Sequence, residues 1–147
     1  MVLTDQLIFA LTRQEVLAVI AHELAHIELR HSLHQVIKVA GVSTLALIVF
    51  GAEDIIIENL AAGVITTWYL GNSRDFEREA DQRAIEILEA SGHDPATLAK
   101  ALKTLYEVIC DQQQLSTEAC EAQGSHHWLS THPGFRERII AAGGEVD

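Results

Sequence analysis

Residues 17–26 read LAVIAHELAH, and this segment decides the fold of the chain. Its two histidines, His22 and His26, are four residues apart, which on a helix places both imidazoles on one face. Two ring nitrogens in that arrangement can bind one zinc ion at about 2.0–2.1 Å. Glu23 follows the first histidine, so its carboxylate lies beside the metal, where it can take a proton from a zinc-bound water.

A long helix is predicted around this motif. Thr12 and Glu15 have the spacing of a capping box, in which each side chain satisfies the free backbone N–H of the other residue. The helical pattern then runs from Val16 to about Val39, and Gly41 is the first residue that would break it. Two surface histidines on an exposed helix are the alternative interpretation, and a third ligand is needed to decide against it.

A catalytic zinc ion needs a third protein ligand, which leaves the fourth position to water. In one continuous helix, His31 is turned by about 180° from His22, and His34 lies roughly 18 Å further along the axis. The long zinc motif with a third histidine is also excluded, because Leu29 and Ser32 stand where it requires glycine and histidine. The third ligand is therefore expected on another helix.

A second helix, predicted from about residue 74 to residue 90, offers that ligand. Glu77 and Asp81 are one turn apart on one face, and Ala80 and Ala84 flank this face and allow close approach to another helix. Glu77 can then bind the metal. Asp81 can accept the free N–H of a ligating histidine, a contact that fixes the tautomer and orientation of the ring. Alone, these charges would suit a solvated helix; together with the histidine motif they favour a metal site.

Composition limits the fold and excludes one class of partner. The 147 residues suit a single domain, and 48% hydrophobic but only 5% aromatic residues predict a core of Leu, Ile, Val and Ala. With two prolines in the chain, helix is favoured over sheet. The net charge of -11 argues against a nucleic-acid partner, because phosphate binding requires a basic surface.

Apolar segments occupy most of residues 39–70, between the two helices. None of them reaches the ~18–20 apolar residues that span a bilayer. Each suits a buried helix or a helix in contact with another copy, which is the favoured interpretation. The alternative is membrane-surface contact, with Trp68 and Tyr69 as aromatic anchors.

Further helices are predicted towards the C-terminus. Asp94 and Pro95 form a helix start, and Phe135 to Ala141 is expected to be a last short helix. Residues 111–131 are polar and irregular. The helix after Pro95 carries one apolar stripe, made of Leu98, Leu102, Leu105 and Ile109.

Three blocks of sequence resemble the gluzincin peptidases of the HtpX and CAAX prenyl protease superfamily, closest to the periplasmic BepA-like branch. They are residues 17–26 with 30–32, residues 73–81, and residues 130–133 with 138–139. The resemblance implies a mainly α, zincin-like helical catalytic domain over residues 1–147, with at most a short strand at Val2 to Thr4. Family members carry a further strand upstream that can pair with substrate. We therefore expect a truncated α+β gluzincin, a fragment of a longer protein with impaired substrate binding.

The resemblance also implies roles for individual residues. It makes Glu23 the general base and Asp81 the partner of a ligand histidine, with Zn²⁺ held by His22, His26 and Glu77. His132 matches a His-Pro loop that approaches the metal site and either steadies the oxyanion or occludes the fourth metal position; an ordinary loop histidine before a turn is the alternative. Arg138 matches an arginine that polarises the scissile carbonyl, with a surface salt bridge as the alternative.

The predicted function is zinc-dependent hydrolysis of peptide bonds in proteins, with misfolded or membrane-associated proteins as the expected substrates. The resemblance, with a disulfide between Cys110 and Cys120, implies a periplasmic or membrane-associated location; two unrelated thiols are the alternative. Membrane-surface contact or self-association would use residues 39–70. Two other functions stay open: a non-catalytic assembly or chaperone-like module, and a zinc hydrolase of small molecules.

Overall fold

A computed structural model describes residues 5–50, 74–112, 114, 132 and 134–146. This part of the chain contains no strand, so the prediction of a mainly helical domain is confirmed. The predicted strand at residues 2–4 and the apolar residues 55–70 lie outside the described residues. The helices in the described part are α1 (Asp5–Ala10), α2 (Arg13–Glu28), α3 (His31–Phe50), α4 (residues 74–90), α5 (Thr97–Gln112) and α6 (Phe135–Ala141).

Helix α2 begins with the predicted capping box. The backbone N–H of Glu15 donates to Thr12 Oγ1 at 3.3 Å, and the backbone N–H of Thr12 donates to Glu15 Oε2 at 2.8 Å. The hydroxyl of Thr104 on α5 donates to the other carboxylate oxygen of Glu15 at 2.8 Å. Burial raises the pKa of Glu15, but the hydrogen bonds from Thr12 and Thr104 outweigh it and hold this pKa below its ordinary value. The cap thus also ties α2 to α5.

The prediction of one helix from Val16 to Val39 is wrong. Helix α2 ends at Glu28, Arg30 adopts the left-handed conformation with φ of 54°, and α3 begins at His31 in a new direction. A left-handed arginine is unfavourable, and no glycine marks the break in the sequence. Gly41, the predicted breaker, lies inside α3 instead. The helix axis therefore turns immediately after the histidine motif.

Helices α2 and α4 are in contact through the pairs His22–Glu77 and Glu28–Arg83, and both helices bury small side chains. The alanines on these two helices that are 0% exposed are Ala18 and Ala25 on α2, and Ala80 and Ala84 on α4. Methyl groups let two helix backbones approach, so longer side chains beside them can reach a common point. At the surface, Arg83 of α4 donates to both carboxylate oxygens of Glu28 at 2.9 Å.

The main core lies where α5 packs against α2 and α6. The predicted stripe on α5 is confirmed, since all four of its residues are buried. Phe135 and Ile139 of α6 are 2% and 0% exposed, and the Phe135 ring stacks on Tyr106 with centroids 6.0 Å apart. Burying an aliphatic or aromatic side chain of this size contributes about 1.5–3 kcal/mol. This packing fixes the position of α6 beside α4.

The apolar face of α3 is not covered by the described residues. Leu45 and Ile48 are 61% and 75% exposed. These two side chains are therefore not buried in the core, which was one of the arrangements expected for the apolar segments of residues 39–70. No helix in the described ranges has the length and apolar character to cross a membrane. Cys110 is disulfide-bonded. The only other cysteine of the sequence, Cys120, lies outside those ranges.

Candidate metal centre

Four side chains from three parts of the chain converge on one point. Ligand atoms of His22, His26, Glu77 and His132 all lie within 4.8 Å of one another. The Nε2 atoms of His22 and His26 are 3.0 Å apart. Glu77 of α4 approaches them with Oε2 at 3.4 Å from His22 Nε2 and Oε1 at 3.1 Å from His26 Nε2.

These distances fit a shared metal ion. Ligands that a tetrahedral ion holds at ~2.0–2.1 Å lie about 3.3–3.4 Å from one another. The three separations among His22, His26 and Glu77, from 3.0 to 3.4 Å, are close to that value. Two imidazoles and one carboxylate also form the ligand set of many catalytic zinc sites. His22, His26 and Glu77 could therefore hold such an ion between α2 and α4.

Charge around the cluster favours a cation. Glu77 is 2% exposed, and burial alone would raise the pKa of its carboxyl. Contacts with His132, His22 and His26, with the charge of Arg138, instead hold this pKa far below its ordinary value. Burial lowers the pKa of His22, but Asp81 and Glu77 outweigh it and raise this pKa. The same carboxylates create the negative potential that attracts a metal ion.

Asp81 and Arg138 support the cluster from behind. Arg138 is 3% exposed and donates to Asp81 from Nε to Oδ2 at 2.7 Å and from Nη2 to Oδ1 at 2.8 Å. Asp81 Oδ1 lies 2.9 Å from His22 Nδ1, and Arg138 Nη1 lies 2.6 Å from Glu77 Oε2. These last two are ion-pair contacts without hydrogen-bond geometry. The surface salt bridge considered for Arg138 is wrong, because the guanidinium is buried between two acidic side chains.

The pKa of Asp81 reflects this pairing. Burial raises the pKa of its carboxyl, but the hydrogen bonds from Arg138 and the contact with His22 outweigh burial and hold this pKa below its ordinary value. Asp81 is consequently an ionised acceptor beside His22 Nδ1. In that position it can hold the ring with Nε2 directed at the metal.

Glu23 and His132 face each other across the front of the cluster. His132 Nδ1 lies 3.1 and 3.2 Å from the two oxygens of Glu77, and its Nε2 lies 3.6 Å from Glu23 Oε1. Both side chains are partly accessible, at 14% for His132 and 19% for Glu23, and His26 is exposed to a similar extent, at 16%. A substrate could therefore approach the cluster from the side where these three residues lie, whereas His22 and Glu77 are enclosed.

The sequence reasoning missed one residue, His31. It was expected to face away from the metal, but its Nδ1 lies 2.9 Å from His26 Nδ1. The turn at Arg30 brings the ring back, where it stacks on Phe76 with centroids 4.5 Å apart and is 3% exposed. Burial lowers the pKa of His31, and the neighbouring His26 lowers it further. The converging ligand atoms belong to His22, His26, Glu77 and His132, and His31 lies beside this group, against Nδ1 of His26.

Comparison with known proteins points the same way as the geometry. A family model described as Peptidase family M48 matches residues 1–146. Neither a curated protein nor a solved structure matches the chain.

Proposed function

The chain belongs to peptidase family M48 and is a metallopeptidase, and from this premise we propose that it is a zinc-dependent endopeptidase acting on proteins. The observation that carries the proposal is the convergence of His22, His26 and Glu77 at separations of 3.0–3.4 Å. Zinc is the ion that this ligand set favours, and three protein ligands leave one position open.

Each residue of the cluster has a distinct part in the proposed reaction. When bound, zinc supplies Lewis acidity and lowers the pKa of a water molecule to about 7. Glu23 does not bind the metal; its carboxylate accepts a proton from the attacking water and passes it to the leaving amine. His132 lies on the same side as Glu23, and with both ring nitrogens protonated it donates from Nδ1 to Glu77 and from Nε2 to the oxygen on which negative charge develops.

Arg138 has a positioning part in this proposal. Its donors face Asp81 and Glu77, so it holds the ligand Glu77 and the support of His22. This arrangement favours a role behind the metal over direct contact with the scissile carbonyl. In the same way, Asp81 orients the ring of His22.

We place the chain near the periplasmic BepA-like branch of its family, acting in the periplasm or at a membrane surface. The disulfide at Cys110 supports this location, because structural disulfides persist in oxidising compartments. The exposed apolar side chains Leu45 and Ile48 on α3 are consistent with a membrane-surface or self-association face.

Zinc content and casein cleavage test the function together. Glu23→Gln should bind zinc as the unaltered chain does and should lose cleavage by about 10²–10⁴-fold, since general-base catalysis is removed. Glu89→Gln, at an exposed position near the end of α4, is the matched control and should keep full activity. Undiminished cleavage by Glu23→Gln would remove Glu23 from the mechanism. Zinc binding without cleavage by the unaltered chain would support the non-catalytic module instead.

A further inference from the structure

A line of three side chains leads from the metal cluster to the surface. His26 Nε2 points into the cluster, while its Nδ1 lies 2.9 Å from Nδ1 of His31. On the far side of the same ring, His31 Nε2 lies 3.3 Å from Glu79 Oε2. The Glu79 side chain is 62% exposed, so the line ends in solvent.

The chemistry of a metal ligand determines where the protons lie along this line. His26 must present the lone pair of Nε2 to the metal, so its proton is on Nδ1. A contact between two ring nitrogens needs one donor and one acceptor. His31 Nδ1 is therefore the acceptor, and the proton of His31 is on Nε2, where it faces the carboxylate of Glu79. All three side chains then satisfy one another.

We propose that His31 is a positioning residue which, together with Glu79, holds the ligand His26 in the tautomer and orientation that bind zinc. This inference rests on the proposed function only in taking His26 as a ligand. In this arrangement, an acidic side chain of α4 orients each of the two histidine ligands. Asp81 contacts His22 directly, whereas Glu79 acts on His26 through the ring of His31.

The surroundings of His31 indicate that its nitrogens matter and not only its volume. The ring is enclosed at 3% exposure and stacks on Phe76, a place that a second aromatic side chain could fill equally well. Both ring nitrogens nevertheless have polar partners, His26 and Glu79. The left-handed Arg30 is an unfavourable conformation, and it directs α3 so that this ring reaches His26.

Zinc affinity of the purified chain, measured by competition with a chelator, tests the inference. His31→Phe keeps an aromatic ring against Phe76 but removes both nitrogens, and we expect its zinc affinity to fall about 10–100-fold. His31→Asn places an amide oxygen near the position of Nδ1, so it should recover most of that loss. His34→Phe, at an exposed position on the same helix, is the matched control and should bind zinc normally.

Absorption spectroscopy distinguishes a change in the orientation of the ligand His26 from a general loss of folded protein. With Co²⁺ in place of Zn²⁺, the absorption bands of His31→Phe should differ from those of the unaltered chain, and those of His31→Asn should resemble it. If His31→Phe does not fold, Glu79→Gln takes its place. That exposed substitution should lower zinc affinity several-fold, while Glu86→Gln on the same helix should not.

The outcomes distinguish this inference from the proposed function. Unchanged zinc affinity in His31→Phe, or no recovery in His31→Asn, would overturn the role of His31. Where His31→Phe does not fold, unchanged zinc affinity in Glu79→Gln would overturn it as well. If His26→Ala loses zinc while His31→Phe binds it normally, His26 remains assigned as a ligand, and only the role of His31 is refuted. Normal zinc binding in His26→Ala would instead refute the ligand assignment on which both depend.

Discussion

Arg138 and Asp81 form a buried bidentate pair, with hydrogen bonds of 2.7 and 2.8 Å between α6 and α4. The third nitrogen of the guanidinium lies 2.6 Å from Glu77, so one cation faces two buried carboxylates. A planar, permanently charged group with several donors is suited to this task, whereas a single ammonium is not. The pair links the hydrophobic core under α6 to the metal cluster.

We expect Arg138→Gln to be strongly destabilising. Breaking a buried ion pair leaves an uncompensated charge and costs about 3–5 kcal/mol. The control is Arg83→Gln, which breaks the exposed bidentate pair with Glu28 and should cost no more than about 1 kcal/mol. Urea unfolding of the metal-free chain measures both. Equal costs for the two variants would contradict the assigned difference between them.

His132→Ala should separate oxyanion stabilisation from metal binding. His132 Nδ1 is directed at Glu77, and Nε2 lies towards Glu23, so we expect its main effect on the reaction. Loss of an oxyanion donor lowers kcat by about 10²–10³-fold. Zinc affinity should stay within several-fold of that of the unaltered chain. A large loss of zinc would instead place His132 in the fourth metal position.

Zinc binding should weaken as the solution is acidified. In the metal-free chain, Asp81 and Glu77 outweigh burial and raise the pKa of His22 above the ordinary value of 6.5. Protons therefore compete with zinc for this ring already above pH 6.5, and the competition grows as the pH falls. The apparent zinc affinity, titrated against a chelator between about pH 5.5 and 8.5, should rise with pH and then level off. A flat profile would exclude proton displacement from His22.

Glu15→Gln tests the cap of α2 independently of the metal. Glutamine keeps one acceptor oxygen for the capping box, but its amide nitrogen cannot accept, so one of the hydrogen bonds from Thr12 and Thr104 is lost at a cost of about 1 kcal/mol. Because the folded-state pKa of Glu15 is lowered from 4.5, its contribution is present above that pH and is lost as the pH falls through the folded pKa. The stability difference between Glu15→Gln and the unaltered chain should therefore shrink below pH 4.5. Glu89→Gln, which lacks these hydrogen bonds, should show no such trend.

Local patterns were enough to predict much of the fold. The capping box at Thr12 and Glu15, the apolar stripe of α5 and the bounds of α6 depend on residues that are near one another in the chain. Helical spacing also placed Glu77 and Asp81 on one face, and the structure brings that face to His22. Such features follow from periodicity, which a single sequence shows directly.

Two features could not be read from periodicity. The helix is interrupted at Arg30, which adopts a left-handed conformation; a glycine at this position would have predicted the interruption from the sequence. The next residue, His31, stacks on Phe76, which is distant in the sequence. The role of Arg138 depends on Asp81, 57 residues away in the sequence. Long-range pairing of this kind is decided by tertiary packing, so it leaves no local pattern.

The makeup of the ligand group has a consequence for which ions it would accept. His22 and His26 offer ring nitrogens, and Glu77 offers carboxylate oxygens. Calcium prefers six to eight oxygen ligands. We therefore expect the cluster to discriminate against calcium by the kind of atom that it presents.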